Sequence, residues 1–318
     1  MKKSFILSGV VWLGALMLGT SCSTTSVFTY DCMVPADITL PVELACVGII
    51  NHAPDSLYDL SSRATQVMAQ DVADAQYFND VHLLDSVIVA PMTSQHVDDL
   101  ARFLEVDFLA SLDSLELTLL SSASRTKEGE YESKAHVNIL AKMHLYLPGR
   151  DAPMATMLLQ DTLNWYGYGV DEREAHDKLP TLGEIALECT NYVGEKYADK
   201  LVPHWTTVTR ALFVSEAGEL KEAAVNIHDD QWDKAKAKWE DTYKKTNSTK
   251  LKAYCAYDLA VYYEKESEID KAIEWITISA KHFKEAKSHK ATEDAAAYLV
   301  FLQNRKKELT LLDLQFAE

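Results

Sequence analysis

"AHVNILAKMHLYL", Ala135 to Leu147, decides the fold of the first half of the chain. Its odd positions, Val137, Ile139, Ala141, Met143 and Leu145, are apolar, and its even positions include His136, Asn138, Lys142, His144 and Tyr146. A period of two over this length is a β-strand with one face buried and one face wet. Pro148-Gly149 follows as a turn pair, the glycine supplying the positive φ that such a turn requires. "MATMLLQDTLNWYG", Met154 to Gly167, then returns as the antiparallel partner, and "DFLASLDSLELTLL", Asp107 to Leu120, is expected beside them.

Outward from this sheet, strands alternate with helices. "ACVGIIN", Ala45 to Asn51, is a nearly continuous apolar run, as in a strand covered on both faces. A helical pattern runs from Leu60 to Val72, and "DSVIVAPM", Asp85 to Met92, is expected to be a second short strand. Val97, Leu100, Ala101 and Leu104 form one apolar helix face. Thr181-Leu-Gly-Glu184 is a capping-box signature, opening a helix with Ile185, Cys189, Val193 and Tyr197 on one side and Pro203 at its end. "HWTTVTRALFV", His204 to Val214, is one more strand. The sequence therefore predicts an α+β domain over 34–216 with a largely antiparallel sheet.

From about Leu220 no strand pattern survives. Trp232-Asp-Lys-Ala235 recurs as Ile269-Asp-Lys-Ala272, 37 residues later, and Leu259, Ala260 and Tyr263 precede the second copy. These positions resemble the small-residue face of tetratricopeptide (TPR) helix pairs, which repeat every 34 residues or so. An all-α, TPR-like helical domain is expected over 217–318, with Trp232, Trp239 and Trp275 packing between helices and Asp230 capping the helix at Trp232.

The chain opens with Lys2 and Lys3, an apolar run from Phe5 to Gly19, and "LMLGTSCSTTS", Leu16 to Ser26. The run is shorter than the roughly 20 apolar residues of a membrane-spanning helix. A positive start, an apolar core of this length and small residues before a cut describe an export signal, residues 1–21. Small residues immediately before Cys22 resemble the lipobox of bacterial lipoproteins, with Gly19 where leucine is usual and Leu18 one place earlier. That resemblance implies acylation of Cys22 and a lipidated tether over 22–33. The resemblance to lipoproteins of Gram-negative bacteria further implies an outer-membrane anchor, from the serine after the cysteine, Ser23, and the periplasmic face rather than the cell surface, because surface-exported lipoproteins of the Bacteroidetes type carry acidic residues there and Ser23 to Ser26 has none.

The segments "VPADITLP" (Val34 to Pro41), "VGIIN" after it, "DTLNW" (Asp161 to Trp165), "LVPHWTTVTR" (Leu201 to Arg210), and "WDKAKAKW" followed by "IDKAIEW" carry a wider resemblance. Together they resemble a Bacteroidetes lipoprotein family of unknown function with a TPR-like C-terminal part. The resemblance covers nearly everything after Cys22. It implies export, lipidation and the two-part architecture, and supplies no catalytic residues.

The formal charge is −17, and loss of Lys2 and Lys3 with the signal would take it to −19. Phosphate neutralisation needs a basic face, so no nucleic-acid partner is expected. Cys32, Cys46, Cys189 and Cys255 lack metal-type spacing and are expected to be thiols. No nucleotide loop, nucleophile elbow or H-E-x-x-H is present, and no metal, cofactor or enzymatic activity is predicted. Ser124-Arg-Thr-Lys127 fits S-x-x-K but lies in a polar run and reads as a solvated loop. His136 and His144, eight residues apart, read as solvated surface histidines too distant to share a metal. His228-Asp229-Asp230 reads as a helix start rather than a metal corner. Trp165, Tyr166 and Tyr168 cluster near a strand end and are the binding candidates. Ser56, in Asp55-Ser56-Leu57, resembles an exported-protein glycosylation site. The expected function is a lipid-anchored protein-binding or scaffolding module with an envelope protein partner, the alternative being a glycan-binding lipoprotein.

Overall fold

The computed structural model describes residues 25–53, 58–214 and 218–317. In chain order its elements are β1 (Thr25–Val34), β2 (Cys46–Asn51), α1 (Tyr58–Asp74), β3 (Asp80–Val87), α2 (Ser94–Leu104), β4 (Phe108–Arg125), β5 (Tyr131–Tyr146), β6 (Ala155–Gly169), α3 (Glu172–Asp177), α4 (Leu182–Leu201), β7 (His204–Phe213), α5 (Gly218–His228), α6 (Trp232–Lys245), α7 (Thr249–Lys265), α8 (Ile269–Glu285) and α9 (His289–Gln315). Two compact units result. Of the described residues, a sheet unit takes those in 33–206 and 307–317, and a helical unit those in 25–32 and 207–306. The sequence boundary at 216/217 differs from this division in two places: the second half of β7 belongs with the helices, and the last turns of α9 belong with the sheet. The segment expected to be a tether, 22–33, is β1 from Thr25 onward, because it pairs with β7 in a two-stranded ribbon.

The sheet unit has five strands in the order β3-β2-β4-β5-β6. β2 runs parallel to both β3 and β4, and β4, β5 and β6 form an antiparallel meander. The second short strand lies at Asp80–Val87 rather than Asp85–Met92. Val81 and Leu83 supply its core-facing positions, and Ile88 to Pro91 lie beyond its end. The inner face carries Val47, Ile49, Phe108, Ala110, Leu112, Val137, Ile139, Ala141, Met143, Leu159 and Leu163. Over it lie Ala64, Met68 and Val72 of α1 and Ile185, Cys189, Val193 and Tyr197 of α4. Burying each large aliphatic side chain here contributes about 1.5–3 kcal/mol. α4 starts at the capping box the sequence predicts, Thr181 Oγ1 accepting from Glu184 N–H and Glu184 accepting from Thr181 N–H. α4 crosses α1 closely at Gly194, where a Cβ would stand 2.6 Å from the Ala64 carbonyl oxygen.

Within the sheet unit, α2 covers the outer face at the end near the parallel strands. Val97 and Ala101 of α2 pack on Ile50, Leu109 and Tyr146 there. Tyr146, expected on the wet face by alternation, is therefore buried. The C-terminal segment closes the unit. The Gln315 side chain is buried, accepts from Ala36 N–H at 3.0 Å and donates to the Ala36 carbonyl at 3.0 Å. Phe316 stands edge-on to Tyr77.

In the helical unit α5 packs on α6, α6 on α7, and α7 on α8. The connections 229–231, 246–248, 266–268 and 286–288 are each three residues long. Three of them share one backbone solution. Asp230, Ser267 and Lys287 sit at φ 56, 60 and 57, and the next N–H returns to the carbonyl five residues back, as Gln231 to Asn226, Glu268 to Tyr263 and Ser288 to Phe283. This closes each helix with its terminal carbonyls satisfied. Asp230 is therefore not the cap of α6: Gln231 occupies that place without a side-chain hydrogen bond, and Asp230 takes the left-handed turn. Ala235 and Ala272 are fully buried, as are Leu259 and Ala260. Arg210 forms a two-point pair with Glu264, Nε to Oε2 at 2.8 Å and Nη2 to Oε1 at 2.5 Å, and its guanidinium lies 4.3 Å from the Phe301 ring centroid. Among the described residues no helix is long and apolar enough to cross a membrane.

Candidate functional site

The outer face of β4–β6 is a strip whose rows are fixed by strand register. Moving away from α2, the rows are Ser114–Lys142–Leu158, Glu116–Leu140–Gln160, Thr118–Asn138–Thr162, Leu120–His136–Asn164, Ser122–Lys134–Tyr166 and Ser124–Glu132–Tyr168. Along β6 every even position from Thr156 to Tyr168 is exposed. Leu120, Leu140, Leu158, Tyr166 and Tyr168 are all large, ordered and open, Leu158 at 64% exposure. Polar side chains, neutral and charged, lie between them, with Thr162 Oγ1 donating to Asn138 Oδ1 at 2.9 Å. The Lys134 ammonium lies 5.5 Å from the Tyr166 ring centroid. Tyr168 hydrogen-bonds to Glu132, and that bond, with the carboxylate's charge, holds the phenol pKa above its usual value.

Strand alternation divides the three aromatic candidates. Tyr166 and Tyr168 lie on the outer strip, whereas Trp165 faces inward, packs against the core and donates from Nε1 to Glu188 on α4 at 2.8 Å. The glycines of "WYGYG" are the reason β6 can end this way. Gly167 and Gly169 face inward, where α3 crosses so closely that a Cβ on Gly167 would stand 2.1 Å from the Ala175 carbonyl oxygen. Cys22 and Ser56 lie outside the described residues. Of the S-x-x-K stretch, expected to be a loop, Ser124 and Arg125 end β4 in pairs with Glu132 and Tyr131, and Thr126 and Lys127 start the β4–β5 turn, closed by Thr126 N–H to the Glu130 carbonyl and by Gly129 at φ 94. His228 lies on the surface, 3.5 Å from neighbouring Asp229. Among the described residues no group of three or more His, Cys, Asp or Glu side chains is placed to hold a metal. Among the described residues Cys32, Cys46, Cys189 and Cys255 form no disulfide.

The structure adds a cluster that alternation conceals. The β4–β5 register slips between Leu112 and Ser114, so Asp113 is the extra residue of a β-bulge. The bulge turns Asp113 onto the outer face, beside Ser111 and His144, which pair directly across the strands. Asp113 accepts from Ser111 Oγ, from Tyr146 at 3.2 Å and contacts His144 Nδ1, while His52 Nδ1 stands 3.7 Å away. His144 is thus mostly buried against a carboxylate, not a solvated surface histidine. The readable trace is a parity change: Phe108, Ala110 and Leu112 face the core, and then Leu115 and Leu117 do. Ser111 Oγ donates its hydrogen bond to the carboxylate and His144 Nδ1 also meets that carboxylate, so the cluster shows no serine–histidine bond of the kind through which a base activates a nucleophile. It anchors the covered end of the strip. Burial and Asp113 together push the Tyr146 phenol pKa up.

A second concavity of about 570 Å³ lies in the sheet unit between Val34–Asp37, β6, α4 and Leu311. Its polar lining is largely paired within itself: Lys200 with Asp37 and Lys196 with Asp199, each at 2.7 Å, and Tyr192 with Asp161.

Residues 48–213 match the family model described as Domain of unknown function (DUF8603), which spans the fold from β2 to β7. The chain belongs to this family. The DUF8603 region holds the whole outer strip and the Asp113 bulge. Residues 221–304 match a second model, Domain of unknown function (DUF6340), which covers α5 to α8 and most of α9. No curated protein sequence matches the chain. Solved structures similar to this DUF8603 protein include a PelC dodecamer from Paraburkholderia phytofirmans, at 13% identity over 53% of this chain and 94% of that one, TM-score 0.23. The rare lipoprotein B from Shewanella oneidensis is similar at 16% identity over 49% and 89%, TM-score 0.26. A minor lipoprotein from Acinetobacter baumannii is similar at 10% identity over 51% and 98%, TM-score 0.25.

Proposed function

We propose that this DUF8603 protein is a lipid-anchored, non-catalytic binding module of the bacterial envelope, held at the periplasmic face of the outer membrane through acylated Cys22. The observation that carries the binding role is the open strip on β4–β6, where Leu120, Leu140, Leu158, Tyr166 and Tyr168 stand exposed on regular strands. Five large apolar or aromatic side chains left exposed on one face of three regular strands point to an interaction surface. The anchor is supported by the small residues before Cys22 and by the short apolar run that precedes them. Thr25, the start of β1, lies three positions after Cys22, a reach of at most about 10 Å. Acylation would hold the ribbon of β1 and β7 close to the bilayer, and two or more chains are needed for stable attachment.

A second reading assigns a protein-scaffolding role to a TPR-like helical stack. It is supported by the recurrent left-handed three-residue connections and by the buried alanines Ala235 and Ala272 at the repeated positions. Cys22→Ala tests the anchor. The wild-type chain is expected in the detergent-soluble membrane fraction, with a mass increase of acyl size on its first mature residue, and the variant in the aqueous fraction. Recovery of both in the aqueous fraction, with an unmodified Cys22, overturns it.

A further inference from the structure

We infer that the strip on β4–β6 takes a neutral, linear glycan lying along the strands. The inference rests on the binding-module reading and names its ligand. Dimensions come first. The rows from Ser114 to Ser124 extend over ten residue steps, about 33 Å, and three strands span about 14 Å. The strip's plan area is on the order of 460 Å². A strip long in one direction and narrow in the other suits an extended oligosaccharide.

Charge comes second. In a chain of formal charge −17, the strip carries Glu116 and Glu132 against Lys134 and Lys142, a local balance of zero. It attracts neither a polyanion nor a polycation. Its central rows, beside Glu116, Leu120 and Leu140, include Thr118, Gln160, Asn138, Thr162, His136 and Asn164, which donate to and accept from hydroxyl groups without net charge. The His136 Nδ1 is shielded from solvent and has no hydrogen-bond partner among the described residues. Tyr166 and Tyr168 end the strip with ring faces for the C–H side of a sugar, and each is held by its cross-strand neighbour, Lys134 or Glu132.

The free edge of β6 argues against the competing occupant, an added strand from a peptide or a second copy. Thr162 N–H donates to Asp161 Oδ1 at 2.7 Å, and the Thr162 carbonyl accepts from Asn164 Nδ2 at 3.4 Å. The middle of the edge is thereby occupied by the strand's own side chains, which is how edges are kept from pairing.

The test uses the full chain in detergent on an array of neutral and charged oligosaccharides, followed by titration with the best hexasaccharide. Binding to a neutral glycan is expected, changing less than threefold between 50 and 500 mM salt and weakening at least tenfold in Tyr166→Ala/Tyr168→Ala. Asn138→Ala, which leaves the rings in place, is expected to weaken it several-fold. The thermal midpoint of each variant confirms folding. A silent array, selectivity for charged glycans, or unchanged binding in the tyrosine variant overturns the inference. Photo-crosslinking from position 158 in envelopes separates the two readings. A protein adduct with a silent array keeps the binding module and removes the glycan, whereas no adduct and no glycan removes both.

Discussion

Asp258 shows how much one residue can tie to pH. It is completely buried on α7, its Oδ1 accepts from Phe213 N–H at 2.9 Å, and its Oδ2 has no hydrogen-bond partner among the described residues. Burial raises its pKa well above the ordinary 3.8, the Phe213 N–H opposing only in part. The native state therefore holds the proton that the unfolded chain releases. Stability is fully present below pH 3.8 and falls as pH rises from there toward the raised native value. Asp258→Asn keeps the acceptor for Phe213 and removes the ionisable group. The variant is expected to gain about 1–3 kcal/mol at pH 7 and little at pH 3.5, read from urea melts at the two pH values. A parallel loss at both pH values would show that Asp258 is not held neutral. Cys189 behaves similarly at a smaller scale: burial, with Glu188 nearby, pushes its thiol up to about 11, which keeps it protonated at neutral pH.

At the scale of elements, β6 and α3 depend on two glycines. Gly167→Val would drive a side chain into the Ala175 carbonyl, 2.1 Å from the ideal Cβ, so α3 has to shift. A cost of about 1–3 kcal/mol is expected, measured as a fall in the denaturant midpoint, with the neighbouring Tyr166→Ala nearly neutral as its control. β4, β5, β6 and α4 were legible because their buried faces follow a plain period of two or 3.6, and Thr181 to Glu184 states its own cap. What stayed hidden had a local cause each time. The Asp113 bulge changes parity inside a run where both registers look apolar. Tyr146 is buried by α2, an element distant in sequence. Asp230 fits a cap by residue type, but the turn before α6 needs a left-handed residue more than it needs a side-chain acceptor. The aromatic triplet was found as a group, and only the strand geometry separates inward Trp165 from outward Tyr166 and Tyr168.

At the scale of the molecule, the sheet unit is built from the described residues in 33–206 and completed by residues 307–317. The joint is the pair of hydrogen bonds between Gln315 and Ala36, 279 positions apart. Gln315→Ala leaves the backbone N–H and carbonyl of Ala36 without these partners, and a loss of about 1–3 kcal/mol is expected in thermal or urea melts. A variant as stable as wild type would show that the joint contributes nothing. Because the joint needs Gln315, a nascent chain still short of that position cannot finish its sheet unit, however long synthesis pauses within the helices. The two bonds at Ala36 therefore form last, after every residue of the helical unit has been synthesised.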